Sequence, residues 1–171
     1  AMRNIREIYV SEGRVDDYFA YAERSGVQSD MSAAARDSLS FAAAKGIYLN
    51  GNMEGAREKL NDYLATFENG YNRTEALFYL SDCYVQLEDN DKALAAMRQL
   101  IDHGTSQYSE RVLGVYARMR FDEGDYEASA GAWLALLEYA DSRSAKQQAI
   151  DGYVEATLCY AQGDDIIAMA D

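Results

Sequence analysis

Proline is absent from the 171 residues, cysteine occurs twice, histidine and tryptophan once each, and basic residues are outnumbered by acidic ones, 16 to 29. Each shortage excludes something. With no proline, no ring geometry interrupts a helix. The residues that dominate the apolar-periodic segments (Ala, Leu, Glu, Arg, Gln, Lys and Met) are strong helix formers, so an all-helical chain is expected. A formal net charge of −13 repels phosphate backbones and anionic headgroups, which argues against nucleic acid as a partner. No run approaches the ~18 apolar residues of a membrane span, and AMRNIREIYV at the start lacks the long apolar core of a signal peptide. Ala1 ahead of Met2 has the look of a cloning remnant, so the start of the chain says nothing about compartment.

Chemistry-bearing patterns are equally scarce. Cys83 and Cys159 lie 76 residues apart in helical, mostly apolar contexts and are expected to be small buried residues. With His103 alone and distant, they offer no metal-ligand spacing. There is no HExxH, no phosphate loop and no G-x-S-x-G. His103 precedes Gly104 at the apparent end of a helix, where a cation suits the negative end of the dipole. The run EDND, 88 to 91, begins like a calcium loop but lacks the glycine at loop position 6 and the closing glutamate, so it reads as a capped turn. Asp16, Asp17, Asp164 and Asp165 fall at expected helix starts, where carboxylates are favoured. The expectation is a noncatalytic chain with no cofactor and no metal.

What the chain does contain is one turn written five times: SEGRVDDY (11–18), LNGNMEGA (49–56), QLEDNDKA (86–93), FDEGDYEAS (121–129) and AQGDDIIA (161–168). Aligned on Gly13, Gly51, Glu88, Gly124 and Gly163, the intervals are 38, 37, 36 and 39 residues, the mark of stacked supersecondary units. Each turn lies between helix-compatible runs of about 14 residues, giving helix A, tight turn, helix B. One residue after the turn come Asn52, Asp89, Asp125 and Asp164, short acceptors suited to capping helix B. Seven before it stand Ala44, Ser81, Ala117 and Ala156, and five after it Ala56, Ala93, Ser129 and Ala168; small groups there let helices A and B approach closely. Leu80, Tyr84, Met97, Tyr116, Trp133 and Leu136 recur at helical spacing to fill the space between.

A helical hairpin with a small residue midway along helix A, an aromatic three positions later, a G-D-Y turn and an Ala in helix B resembles the tetratricopeptide repeat (TPR). GDYEAS and YLSDCYVQLEDNDKALAAM, 79–97, carry the likeness best. It implies an all-α, right-handed α-solenoid, one array over 1–171 with hairpins at about 2–25, 32–68, 72–103, 108–140 and 145–171, the last incomplete. In the first hairpin Arg6 and Tyr18 stand where small residues belong, as expected of an end unit or of one whose preceding neighbour has been cut away. The segment 60–101 is similar to the TPR proteins of bacterial envelopes, including the Tol-Pal-associated and long Bacteroidetes types. Phe67, Asn69 and Gly70 match their F-P-N-G loop, while Glu68 and Ser81 depart from the pattern. That narrower likeness implies a periplasmic or cell-envelope setting, with the cytoplasm as the other compartment.

In a TPR superhelix helix A lines the concave face. The resemblance therefore assigns a partner groove to Phe41, Lys45, Tyr48, Phe78, Asp82, Val85, Arg118, Phe121, Tyr153 and Tyr160, aromatic patches among charges that alternate in sign. Such a groove suits an extended or helical peptide, anchored by rings and oriented by charge. The expected function is a protein-interaction scaffold. The rival is a spacer or oligomerising segment of a longer array whose groove binds nothing. Because only eight residues follow Gly163, the expectation is also that the natural chain continues past Asp171, with Ile166, Ile167 and Met169 short of partners and the apolar C-terminal end pairing with another copy as a homo-oligomer.

Overall fold

In the computed structural model the backbone is described over 2–26 and 32–170, and the side chains over 4–26 and 32–161. The described residues form nine helices and no strand: α1 (Met2–Ser11), α2 (Val15–Arg24), α3 (Ala33–Leu49), α4 (Met53–Thr66), α5 (Arg73–Gln86), α6 (Asn90–Asp102), α7 (Ser109–Asp122), α8 (Tyr126–Tyr139) and α9 (Arg143–Ala170).

Four of the five repeated turns are one structure. Gly13, Gly51, Glu88 and Gly124 all take positive φ, at 70°, 80°, 58° and 82°. In each, the turn residue's N–H donates to the carbonyl three residues back and the next N–H to the carbonyl five back, as in Gly124 to Phe121 (2.9 Å) and Asp125 to Arg120 (2.9 Å). This pair of bonds closes helix A by satisfying its last carbonyls. Helix B then opens on a side-chain cap: Asn52 accepts from the Gly55 N–H at 2.9 Å and Asp125 from the Ala128 N–H at 3.2 Å. Asp89 instead pairs with Lys92 at 2.6 Å. His103 follows the last residue of α6, as its place before Gly104 led one to expect.

The small residues lie where the two helices of a hairpin meet. Ala44, Ala117, Ala156, Ala56, Ala93 and Ser129 are fully buried and Ser81 nearly so. The Ser129 hydroxyl donates to the Ala117 carbonyl at 2.7 Å, stitching α8 directly to the backbone of α7. Ala168 lies outside the residues whose side chains are described. In the first hairpin Tyr18 replaces the small residue, and its ring is buried against Tyr9 and Phe19.

The fifth turn does not form. α9 runs unbroken from Arg143 to Ala170, so Gly163 and Asp164 lie inside a helix and Asp164 is no N-cap. Lengthening an existing helix adds one hydrogen bond per residue fixed, whereas turning at Gly163 would need a new helix nucleus. Ile166, Ile167 and Met169 are outside the described side chains.

The chain divides within α6 into two compact units, 1–96 and 97–171. In the first, α3 packs on α4, α4 on α5, and α1 against α2 and α3. Leu60, Tyr63, Leu77 and Cys83 fill its centre, each 2% exposed or less. Asp37, also buried, accepts from the Tyr63 hydroxyl and from the Tyr71 N–H at 2.7 Å, so one carboxylate of α3 holds both α4 and the loop after it. In the second unit α8 is the middle layer, packed on both α7 and α9, with Tyr116, Trp133 and Leu136 between them. Full burial of such a side chain contributes about 1.5–3 kcal/mol.

Candidate partner-binding faces

In the first unit the helix A face between α3 and α5 is closed by its own side chains. Phe41 and Phe78, expected in an open groove, are buried, 5% and 9% exposed. Phe41 lies 5.5 Å from the Tyr63 ring and 6.4 Å from Tyr79. Rings at this spacing are wide enough to bridge neighbouring helices, and burying them there removes more apolar area from water than leaving them in a groove. Lys45 and Glu75 pair at 2.7 Å across α3 and α5. The Lys45 ammonium also lies over the Tyr79 ring, 5.5 Å from its centroid. The hydrogen bond that Lys45 donates to Glu75 holds the Lys45 pKa above the usual lysine value, and burial, helped by Glu75, raises the Tyr79 phenol. The Tyr48 hydroxyl donates to Asp82 at 2.6 Å, and Gln86 donates to the same carboxylate oxygen at 2.6 Å. Lys45, Tyr48, Asp82 and Val85 are thus half-buried, three of them engaged with residues of the same unit. A second hollow of this unit, about 560 Å³, lies between α1 and α3 and is lined by Val10, Leu39, Ala42 and Gly46.

The second unit is different. Two adjoining hollows of about 660 and 520 Å³ share Arg118 and Gln148 and follow the seam between α7 and α9. From α7 come Gly114, Arg118 and Phe121, three positions that the repeat register places on this face; Arg118 and Phe121 are two of the expected groove residues. The α9 wall is not the expected one. Tyr153 and Tyr160 are exposed, 38% and 43%, but the lining comes from Ser144, Gln147, Gln148, Asp151, Gly152 and Glu155. These recur at three- and four-residue spacing, a polar stripe legible in the sequence once α9 is known to turn that side toward α7. Trp133 forms the floor. A Cβ on Gly152 would stand 2.4 Å from its indole, so the missing side chain is what lets ring and helix touch. Arg118 lies over the same ring, 6.0 Å from its centroid, and is itself exposed.

The seam is rich in groups that both donate and accept hydrogen bonds, Gln107, Gln147, Gln148 and Ser144, with carboxylates from Asp122, Asp151 and Glu155 at one end. Among the described residues no group of three or more His, Cys, Asp or Glu is placed to hold a metal ion. Cys83 is buried and Cys159 half-buried, both as free thiols.

The architecture has solved counterparts. A Podosopora anserina protein described as a kinesin light chain with nearly identical TPR-like repeats matches with a TM-score of 0.58 and 12% identity, over 96% of this chain and 87% of its own. A single-substitution variant of that protein matches with a TM-score of 0.57 and 13% identity, over the same shares. Identity at this level shows the fold alone: the protein is an all-α chain of TPR-like helical repeats. Neither the protein-family models nor the curated proteins return a match to the sequence.

Proposed function

We propose that the protein is a noncatalytic protein-interaction scaffold that takes a peptide in the seam between α7 and α9. The observation that carries this reading is the contrast between the two helix A faces: α3 and α5 are joined by their own ion pair and hydrogen bonds, while the α7/α9 seam is open and lined by polar side chains. The seam's amides match the alternating donors and acceptors of an extended backbone. Asp122, Asp151 and Glu155, in a chain of net charge −13, favour a basic side chain at that end. The closed α3/α5 face supports the spacer reading for that stretch alone. The likeness of 60–101 to bacterial envelope TPR proteins supports a periplasmic or envelope site of action, which fractionation of the native host would check.

Random peptides displayed on phage and selected against the intact chain supply the probe. Arg118 and Gln148 are exposed, so Arg118→Glu and Gln148→Ala should leave the thermal midpoint unchanged and weaken a selected, labelled peptide by about tenfold, ~1.4 kcal/mol. Selected peptides that bind both variants as tightly as the parent would place recognition elsewhere. A selection that yields no binder favours the spacer.

A further inference from the structure

We infer, resting on the seam reading above, that the peptide held between α7 and α9 carries a basic and an acidic side chain two or four positions apart, the basic one at Asp122 and Glu155 and the acidic one at Arg118. The lining of the seam changes sign along its length. The hollow of about 660 Å³ sets Asp122, Asp151 and Glu155 against Arg118, whereas the hollow of about 520 Å³ sets Arg111 and Arg118 against Glu110. Glu110 already accepts from the Asp141 N–H at 3.4 Å, and Asp151 from the Gln147 amide at 2.9 Å. Asp122 and Glu155 are exposed and make no hydrogen bond or ion pair among the described residues. Arg118 shares a hollow with both of them yet lies over the Trp133 ring and pairs with neither. Charges of both signs therefore stand at the open seam without counter-ions from the fold.

A peptide of one sign meets repulsion at one end of this seam, and a peptide with both signs in order satisfies both ends. The spacing follows from helix geometry. One hollow is lined from Gln107 to Arg118 and along α9 as far as Gln148, the other from Arg118 to Asp122 and along α9 as far as Glu155, so the change of sign runs the same way on both walls. At ~1.5 Å of rise per residue, Asp122 stands about 6 Å along α7 from Arg118 and about 11 Å from the midpoint of Arg111 and Arg118. An extended chain rises ~3.3 Å per residue and turns alternate side chains to the same face. Those two separations are therefore steps of two and of four residues.

The peptides selected on phage, made synthetically and labelled with fluorescein, are the probes. Those weakened by Gln148→Ala, and so bound at the seam, should carry Lys or Arg two or four positions from Asp or Glu. Replacing either of the two by Gln in the peptide should raise Kd about tenfold. Asp122→Lys with Glu155→Lys should weaken the original peptide and restore one whose basic residue is replaced by Glu, and Arg118→Glu should be rescued by a peptide whose acidic residue is replaced by Lys. The same double reversal at Glu58 and Glu68, exposed residues of the first unit, should alter neither result, with circular dichroism that of the parent throughout. Seam-bound peptides that lack the charge pair, or that no exchange of charges rescues, overturn this inference and leave the seam as the binding site. Peptides indifferent to Arg118→Glu and Gln148→Ala alike, or a selection without a binder, overturn the seam reading and this inference with it.

Discussion

Glu88 is the one non-glycine residue with positive φ among the described residues, and it occupies the place that Gly13, Gly51 and Gly124 hold in the other turns. A side chain in the left-handed region costs about 1–2 kcal/mol, partly offset because glycine loses more backbone entropy on folding. Glu88→Gly should therefore stabilise the protein by about 0.5–1 kcal/mol, read from the urea midpoint at unchanged slope. A lower midpoint would mean that Glu88 makes a compensating contact. Cys83 offers a second residue-scale test. Burial, more than the neighbouring Asp82, pushes its thiol up to about 11 from an ordinary value of 9. The folded state therefore holds the proton more tightly than the unfolded chain. Its stability contribution is fully present below pH ~9 and is lost as pH rises through about 11, a fall of up to about 2 kcal/mol. Urea titrations from pH 8 to 11 should show that loss in the parent and a shallower slope in Cys83→Ala. In the folded state Cys159 should react with a thiol reagent well before Cys83.

Between elements, the deciding contacts are those in which a missing or small side chain lets two backbones approach. Gly152 meets the Trp133 indole at a distance no Cβ tolerates, and both neighbours are held: Trp133 is buried in the middle layer and α9 is packed along α8. Gly152→Ala should destabilise by about 1–3 kcal/mol, despite alanine's better helix propensity, because overpacking outweighs the ~1 kcal/mol that propensity returns. Thermal or chemical denaturation checks the sign. A stabilised variant would show that Trp133 can move aside. The same logic separates the rings of the first unit: Phe78 is core and Tyr48 is tied to Asp82, so truncating either is a stability experiment before it is a binding one.

Taken whole, the chain is strongly anionic, and its ion pairs do little to offset this. Those along the helices, such as Arg98–Asp102 and Lys59–Asp62, are exposed, where the net contribution of a pair is about 0–1 kcal/mol. Self-repulsion at −13 is the larger collective effect, and added salt screens it within about 10 Å at 0.1 M. The melting temperature at pH 7 should rise with sodium chloride through the physiological range. A fall would mean that the pairs outweigh the repulsion. The same field should make capture of any basic peptide in the α7/α9 seam slower as salt is added.

The period of 36 to 38 residues across the four turns that form, the caps at Asn52 and Asp125, and the small residues at the hairpin contacts were legible in the sequence, because helix periodicity, turn chemistry and close packing act within or between adjacent segments and leave fixed spacings. Ala44, Ala56, Ser81, Ala93, Ala117, Ser129 and Ala156 proved buried for that reason. What spacing alone could not decide was which apolar ring is core and which is surface. Phe41 and Tyr153 share a register position on helix A, ten residues before the aligned turn residue, yet one is buried and the other exposed. The difference lies in the neighbours that each helix meets across the fold, Tyr63 and Tyr79 for Phe41, and those are chosen by tertiary packing. The fate of Gly163 belongs with it. A glycine–aspartate pair permits a turn, but turning costs a new helix nucleus that lengthening the helix already packed does not, and α9 continues.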